Sequence, residues 1–372
     1  MRILILSCDT GRGHNSCASA LQHVFTEKGC SCHIADALSF VSDKFSKIIS
    51  WGHTTMYRHV PGLFRFGYDF VEKLPSMPQD DAAMYKLLTA GTKQLHSYIQ
   101  EGDFDTVICV HVFSGFLLRQ TMREYPMQLK TAFVATDYTY TPGTAISELD
   151  YYFIPAESLK REHEAQGIPW DKLFVSGIPV REEFYQTADK NQAKLKLGLD
   201  PTHTHLLMMC GSMGCGPMDK LTKLLQEYME KDMELSIVCG TNEKLQRELT
   251  QQFGEYPNIH ILGFVHNISE MMDSADLYLT KPGGLSSTEA AAKRLPMVLI
   301  DAVAGCEKHN LNFFVSLGGA VTAESTEELA QRCIELMKDK AKRSAMADAL
   351  GSALCGNAAR HIYDTLKQNC QP

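Results

Sequence analysis

The chain has 372 residues, 44% hydrophobic and 22% charged, with a formal net charge of −8. Such a length predicts two globular domains rather than one core. The acidic balance holds in both halves, 16 basic against 19 acidic residues through Val180 and 20 against 25 beyond it, which excludes a basic nucleic-acid-binding domain.

Among the 12 cysteines there is no CxxC pair and no Cys/His zinc spacing. No apolar stretch reaches the 18 residues of a membrane span, and the N-terminal run is too short for a signal h-region. A reducing cytoplasm is the expected setting.

In chain order, short β-rich runs alternate with helical patterns. Arg2–Ser7, "RILILS", reads as a strand, and a glycine loop, "CDTGRGHNS", follows it. The next helix places Ala18, Leu21, Val24 and Phe25 on one face and stops at Gly29. Within the loop, Gly11 and Gly13 permit a tight turn, and Asn15 or Ser16 is placed to cap the helix. Ser16 stands where a dinucleotide fingerprint would carry its third glycine, although Asp36 falls at the expected distance downstream. His14 reads either as a turn histidine without chemistry or as a neutral imidazole that accepts a proton from a hydroxyl nucleophile.

"CHIADA" is a second strand. Residues 41–75 then break the alternation, holding seven of the chain's 33 aromatic residues and five Lys/Arg against three Asp/Glu. Aromatic and basic residues mixed on helices suit a membrane interface. An ordinary helical excursion packed on the sheet also fits. "TVICVH" (Thr106–His111), "TAFVAT" (Thr131–Thr136), "YYFIP" and "KLFVSG" complete a βαβ series, which predicts a buried parallel sheet with helices on both faces. Asp137 follows a strand end, where it orients His14, binds an acceptor hydroxyl or simply makes a turn.

A connector containing Gly177 and Pro179 reads as a hinge, and the series then restarts. "HLLMMC" (His205–Cys210) leads into Gly211, Ser212, Gly214 and Gly216, a loop bare enough to approach a pyrophosphate. It lacks Gly-Lys-Ser/Thr and so is not an ATPase loop. "ELSIVCG", "NIHILG", "ADLYLT" and "MVLID" are four more strands. After Thr280, Pro282-Gly283-Gly284 turns sharply, Ser286 or Ser287 caps a helix, and Glu289 falls in its first turn. Glu289 could hold a ribose diol, or complete an S-x-x-E capping box with Ser286. Glu307 and Asn310 follow the next strand end, where they read sugar hydroxyls or form a solvated helix start.

The fold class is α/β with two Rossmann-like domains, 1–178 and 179–345, and a C-terminal helix, 346–372, expected to pack back on the first. No two-carboxylate metal motif accompanies either glycine loop, so neither a metal nor another cofactor is expected.

"CDTGRGHNSCASAL", "MYRHVPGLFRFGYDFVEK", "LDYYFIPAESLKREHEAQGIPWDKLFVSGIPVREEF" and "KPGGLSSTEAAAKRLPMVLID…GCEKHNLNFFVSLGGAV" together resemble the monogalactosyldiacylglycerol synthase and processive diacylglycerol glucosyltransferase group of glycosyltransferase family 28. The resemblance covers nearly the whole chain and is most specific in its last block. It implies a GT-B architecture, with parallel sheets facing a central cleft, and inverting transfer of a hexose from a UDP-sugar to diacylglycerol to give a β-glycolipid. It also implies that His14 is the base; Asp137 joins it as a catalytic candidate only through its position after a strand end. The donor side comprises Gly13, Gly211, Ser212, Gly214, Gly216, Pro282, Gly283, Gly284, Ser286, Ser287, Glu289, Glu307 and Asn310. Trp51, Tyr57, Arg58, Pro61, Phe64, Arg65 and Phe66 become an acceptor and membrane surface, at the inner face of the membrane. The run after Asp137, "YTYTPGTAISE", departs from many relatives, which carry a histidine and an aromatic there. A nucleotide-sugar 2-epimerase-like enzyme, a transferase with another lipid acceptor and a nucleotide-sugar-binding regulator are the alternatives.

Overall fold

The computed structural model describes residues 1–9, 12–42, 44, 46–47, 83–214, 216–300, 305–353 and 356–368. Trp51, Tyr57, Arg58, Pro61, Phe64, Arg65 and Phe66 lie outside the described residues, as does Gly11. The described chain forms two compact units, one of 1–181 with the C-terminal helix, the other of 182–300 with 307–353.

The first unit runs β1 (Arg2–Ser7), α1 (Arg12–Glu27), β2 (Ser31–Asp36), α2 (Ala83–Leu88), α3 (Thr92–Glu101), β3 (Thr106–Cys109), α4 (Val112–Glu124), β4 (Lys130–Val134), β5 (Tyr151–Ile154), α5 (Lys160–Ala165) and β6 (Leu173–Val175). Its sheet has the order β2-β1-β3-β4-β5-β6, with every pair parallel. Ile3, Leu4, Ile5 and Leu6 are all fully buried, so β1 shows no in/out alternation, as in a sheet covered on both faces. Ala18, Leu21, Val24 and Phe25 form the buried stripe of α1. "TVICVH" is a strand only to Cys109, because His111 caps α4 by accepting the Phe113 N–H at 3.1 Å.

The second unit runs α6 (Lys190–Lys196), β7 (Thr204–Met209), α7 (Met218–Tyr228), β8 (Met233–Val238), α8 (Glu243–Phe253), β9 (Ile259–Leu262), α9 (Ile268–Ser274), β10 (Leu277–Thr280), α10 (Gly284–Ala292), β11 (Met297–Leu299), α11 (Cys306–Ser316), β12 (Ala320–Thr322), α12 (Thr326–Lys338) and α13 (Lys340–Ala353). Its order is β12-β11-β10-β7-β8-β9, again parallel throughout. β12 goes unread in the sequence, because three residues behind Gly318-Gly319 are too few to show a period. α13 groups with the second unit, so the return to the first comes later than residue 346. There α14 (Ala358–Gln368) packs on α1, with Phe25 and Tyr363 edge to face at 5.4 Å and Arg360 paired to Glu27 at 3.0 Å. Lys130 donates to the Leu366 carbonyl at 2.8 Å, a cation at a helix C-terminus.

A buried polar network closes the N-terminal end of β7. Ser274 Oγ donates to the Met271 carbonyl and so accepts from His205 Nδ1, while Ser236 Oγ lies 2.9 Å from His205 Nε2. Burial alone would push the Asp276 carboxyl up, but Lys190 and Lys194, at 2.8 and 2.9 Å, hold it at about 2. Burial lowers His205 from 6.5 to about 4. Between those values the unfolded chain binds the proton and the folded chain does not. Stability therefore falls as pH drops through that window, by about 3 kcal/mol at most from this group. Urea unfolding from pH 7 to pH 4 is expected to show that slope in the wild type and a shallower one in His205→Gln. Equal slopes would remove His205 as the cause.

Candidate active site

Strand order in the first sheet reverses at β1, with β2 on one side and β3 on the other. Doubly wound sheets bind ligands beyond the strand C-termini at such a switch point. His14 follows β1 there, and Val110 and His111 follow β3. His14 is the third residue of α1 rather than a loop residue, and Gly13 is the second. Because α1 begins at Arg12, Asn15 and Ser16 are its fourth and fifth residues rather than N-cap positions. Asn15 instead accepts from Ser7 Oγ at 2.6 Å and donates to Asp9 at 3.2 Å.

His14 Nδ1 lies 2.8 Å from the Val110 carbonyl oxygen. A carbonyl only accepts, so Nδ1 carries the proton and Nε2 is the basic nitrogen of the neutral ring. Thr136 Oγ1 is 3.3 Å from the same Nδ1, and the His111 ring meets His14 edge-on with centroids 4.6 Å apart. Asp137 is half-buried at the bend that follows β4. Glu162 Oε1 pins the departing segment, accepting from Thr139 Oγ1 and the Tyr140 N–H, both at 2.9 Å. Beneath the histidines, burial pushes the Cys109 thiol up to about 12 and the Cys8 thiol well above its ordinary value. Neither thiol is poised as a nucleophile.

The second sheet reverses at β7, between β8 and β10. Gly211, Ser212, Gly214 and Gly216 lie between β7 and α7 and interlock with the loop after β8. The Thr241 N–H donates to the Ser212 carbonyl at 2.9 Å. Asn242 Nδ2 donates to the Gly214 carbonyl at 3.0 Å, while its Oδ1 caps α8 through the Leu245 N–H at 3.1 Å. Contact is close enough that a methyl group on Gly214 would sit 2.2 Å from the Cys239 carbonyl oxygen.

Across the switch point, Thr280 Oγ1 donates to the Met209 carbonyl at 2.7 Å. Gly283, not Ser286, is the N-cap of α10, and no side chain caps that helix. Glu289 is then the sixth residue of α10 and 9% exposed, which removes the capping-box reading. Ser286 donates weakly to the Gly283 carbonyl at 3.4 Å, and the Ser287 hydroxyl is fully buried with no hydrogen-bond partner among the described residues. Gly284 and Pro282 are buried with the turn. Glu307 and Asn310, at 8% and 0% exposure, are not a solvated helix start. Asn310 Nδ2 donates to the Pro282 carbonyl at 3.1 Å, and Glu307 pairs with Lys281 at 2.8 Å. Among the described residues, no group of three or more His, Cys, Asp or Glu is arranged to hold a metal ion.

Thr136, Val110 (through its carbonyl), His111, Glu162, Asn242 and Lys281 escape sequence reasoning. Only Lys281 carries a readable signal, its position immediately after a strand end in "TKPGG".

Two doubly wound parallel units, each with polar groups gathered at its switch point, define an α/β protein of GT-B architecture. The solved MurG of Acinetobacter baumannii has the same fold, with a TM-score of 0.67 at 14% identity over 98% of this chain and 99% of that one. Residues 14–180 match the monogalactosyldiacylglycerol (MGDG) synthase model, and residues 205–365 match the glycosyltransferase family 28 C-terminal domain. The chain is 34% identical over 61% of its length to a processive diacylglycerol beta-glucosyltransferase of Staphylococcus carnosus, an alignment spanning 58% of that relative. It is 26% identical to a protein of the same name from Bacillus cytotoxicus, over 98% of this chain and 93% of the relative. The protein belongs to the MGDG synthase and processive diacylglycerol glucosyltransferase group of glycosyltransferase family 28.

Proposed function

We propose that the protein is a UDP-sugar-dependent hexosyltransferase that moves a hexose to diacylglycerol, or to a glycosyldiacylglycerol, with inversion to a β-glycolipid. The observation that carries this reading is the orientation of His14 by the Val110 carbonyl, in a chain that matches both family models. That hydrogen bond fixes the tautomer a general base needs. The acceptor hydroxyl gives its proton to His14 Nε2 as its oxygen attacks the anomeric carbon, and the bond from that carbon to the UDP oxygen breaks. The N-terminus of α10 and the glycine loop after β7 offset charge on the leaving diphosphate. Glu289 holds the ribose, and Glu307 and Asn310 lie on the hexose side. Asp137 contributes from the bend that begins directly after Thr136, by orienting His14 or binding the acceptor hydroxyl. UDP-glucose is the first donor to test, because the curated relatives are named glucosyltransferases.

Residues 41–75 supply the acceptor and membrane surface in this reading, through their aromatic and basic composition. No described helix is long and apolar enough to cross a membrane, so a peripheral contact at the inner face is the arrangement proposed.

An epimerase-like enzyme shares the architecture, and fold alone does not separate the two. The fate of the UDP-sugar does. UDP release is expected from UDP-glucose only when vesicles contain diacylglycerol. Conversion of a UDP-sugar to its 2-epimer without lipid, and without net UDP release, would support an epimerase-like reaction, and binding that leaves the UDP-sugar unchanged under either condition would support a regulator. Glu289→Ala is expected to weaken UDP-sugar binding by about 10- to 100-fold, the worth of a charge-assisted hydrogen-bond pair. Calorimetry giving an unaltered affinity would reject the ribose assignment.

A further inference from the structure

Lys281 is the first residue after β10. Its ammonium pairs with Glu307 Oε1 at 2.8 Å. Its stem crosses bare backbone on the way: a methyl group on Gly211 would meet Lys281 Cε at 2.9 Å, and one on Gly283 would meet it at 3.9 Å. The side chain thus runs between the loop after β7 and the loop after β10, the two loops that flank the switch point of the second sheet. It keeps 25% of its surface exposed, while the Glu307 side chain keeps 11%. Glu307 is thereby one wall of this arrangement and Lys281 its reachable cation.

An ammonium ion is a compact charge with three donors on a flexible stem, suited to phosphate oxygens that change partners during a reaction. We propose that Lys281 is a diphosphate-binding residue of the donor site, held by Glu307 before the donor arrives and shared with the diphosphate once it binds. This rests on the donor-site reading above and adds a residue that reading does not use. In the transfer step, the acceptor oxygen forms its bond to the anomeric carbon and its proton passes to His14. The bond from that carbon to the β-phosphate oxygen breaks, and the electron pair leaves with UDP. Lys281 offsets the charge gathering on that oxygen and keeps its own proton, so no further reactant is required. Gly211 has a second role here, since a side chain there would displace the lysine stem.

The test compares UDP with UMP, which lacks the β-phosphate, by calorimetry on wild type, Lys281→Met, Lys281→Arg and the double variant Lys281→Met/Glu307→Gln. The double variant removes the carboxylate that the single change leaves unpaired. In both methionine variants UDP affinity is expected to fall by about tenfold or more and UMP affinity by less than about threefold, with partial recovery in Lys281→Arg. UDP affinity retained in the double variant would overturn the assignment, as would equal losses for UDP and UMP, which mark a structural ion pair. A wild type that binds neither nucleotide would overturn the donor-site reading itself, and this one with it.

Discussion

His14→Ala is expected to lower hexose transfer by about 10²- to 10⁴-fold, the usual contribution of a positioned general base. UDP affinity should stay within about twofold of wild type, because His14 belongs to the first unit, whereas Glu289, the glycine loop after β7 and the N-terminus of α10 belong to the second. The split matters more than the size of the loss. A base acts on the acceptor hydroxyl during the chemical step, so its removal lowers kcat without touching nucleotide binding. His14→Gln offers a finer probe, since a carboxamide can still donate to the Val110 carbonyl but cannot take a proton. It should be nearly as slow as alanine. Turnover within about threefold of wild type in either variant would reject the base assignment.

Among the glycines of the loop after β7, Gly214→Ala should damage the second unit most. Gly214 has φ +55, and its methyl group would stand 2.2 Å from a backbone carbonyl oxygen that no rotamer change can move. Relief requires the loop after β7 to part from the loop after β8. That strains the Asn242 bond to the Gly214 carbonyl and displaces the Gly211–Gly214 amides. A stability loss of about 1–3 kcal/mol is expected, with UDP affinity reduced by about tenfold or more. Gly198→Ala is the control. Gly198 has φ +75 but nothing within 4 Å of the added methyl group, so that variant carries the backbone strain without the clash. It should lose about 1 kcal/mol and bind UDP normally. Similar thermal midpoints and similar UDP affinities for the two variants would show that the interlock is not what shapes the loop.

The strands were legible because a sheet covered on both faces needs continuous apolar runs, and "RILILS", "HLLMMC" and "ADLYLT" supply them. β12 was not, since three residues carry no period. The glycine loops announced both switch points, but which residues cap helices was beyond reach. Asn15, Ser16 and Ser286 are all good capping types, yet the helices begin earlier, at Arg12 and Gly284. At Ser286, propensity gave way to the tight turn before it, where the Gly283 N–H donates to the Lys281 carbonyl at 2.8 Å. For Glu289 the consequence is functional: a helix starting at Gly284 moves it out of a capping box and into a buried second-turn position. His14 was visible as a residue, but its tautomer depends on the Val110 carbonyl, 96 positions away, which only the parallel β1–β3 pairing brings near. Lys281 was hidden by its neighbours, since Pro282-Gly283-Gly284 reads as a turn and draws attention past the residue before it.

Product formation tests the central claim most directly. The purified protein is incubated with radiolabelled UDP-glucose and vesicles containing diacylglycerol, and the lipid extract is resolved by chromatography. Label is expected in an organic-phase glycosyldiacylglycerol with a β-anomeric linkage, dependent on diacylglycerol and nearly absent with His14→Ala. Label confined to the aqueous phase for UDP-glucose, UDP-galactose and UDP-N-acetylglucosamine alike, with active relatives as positive controls, would contradict it.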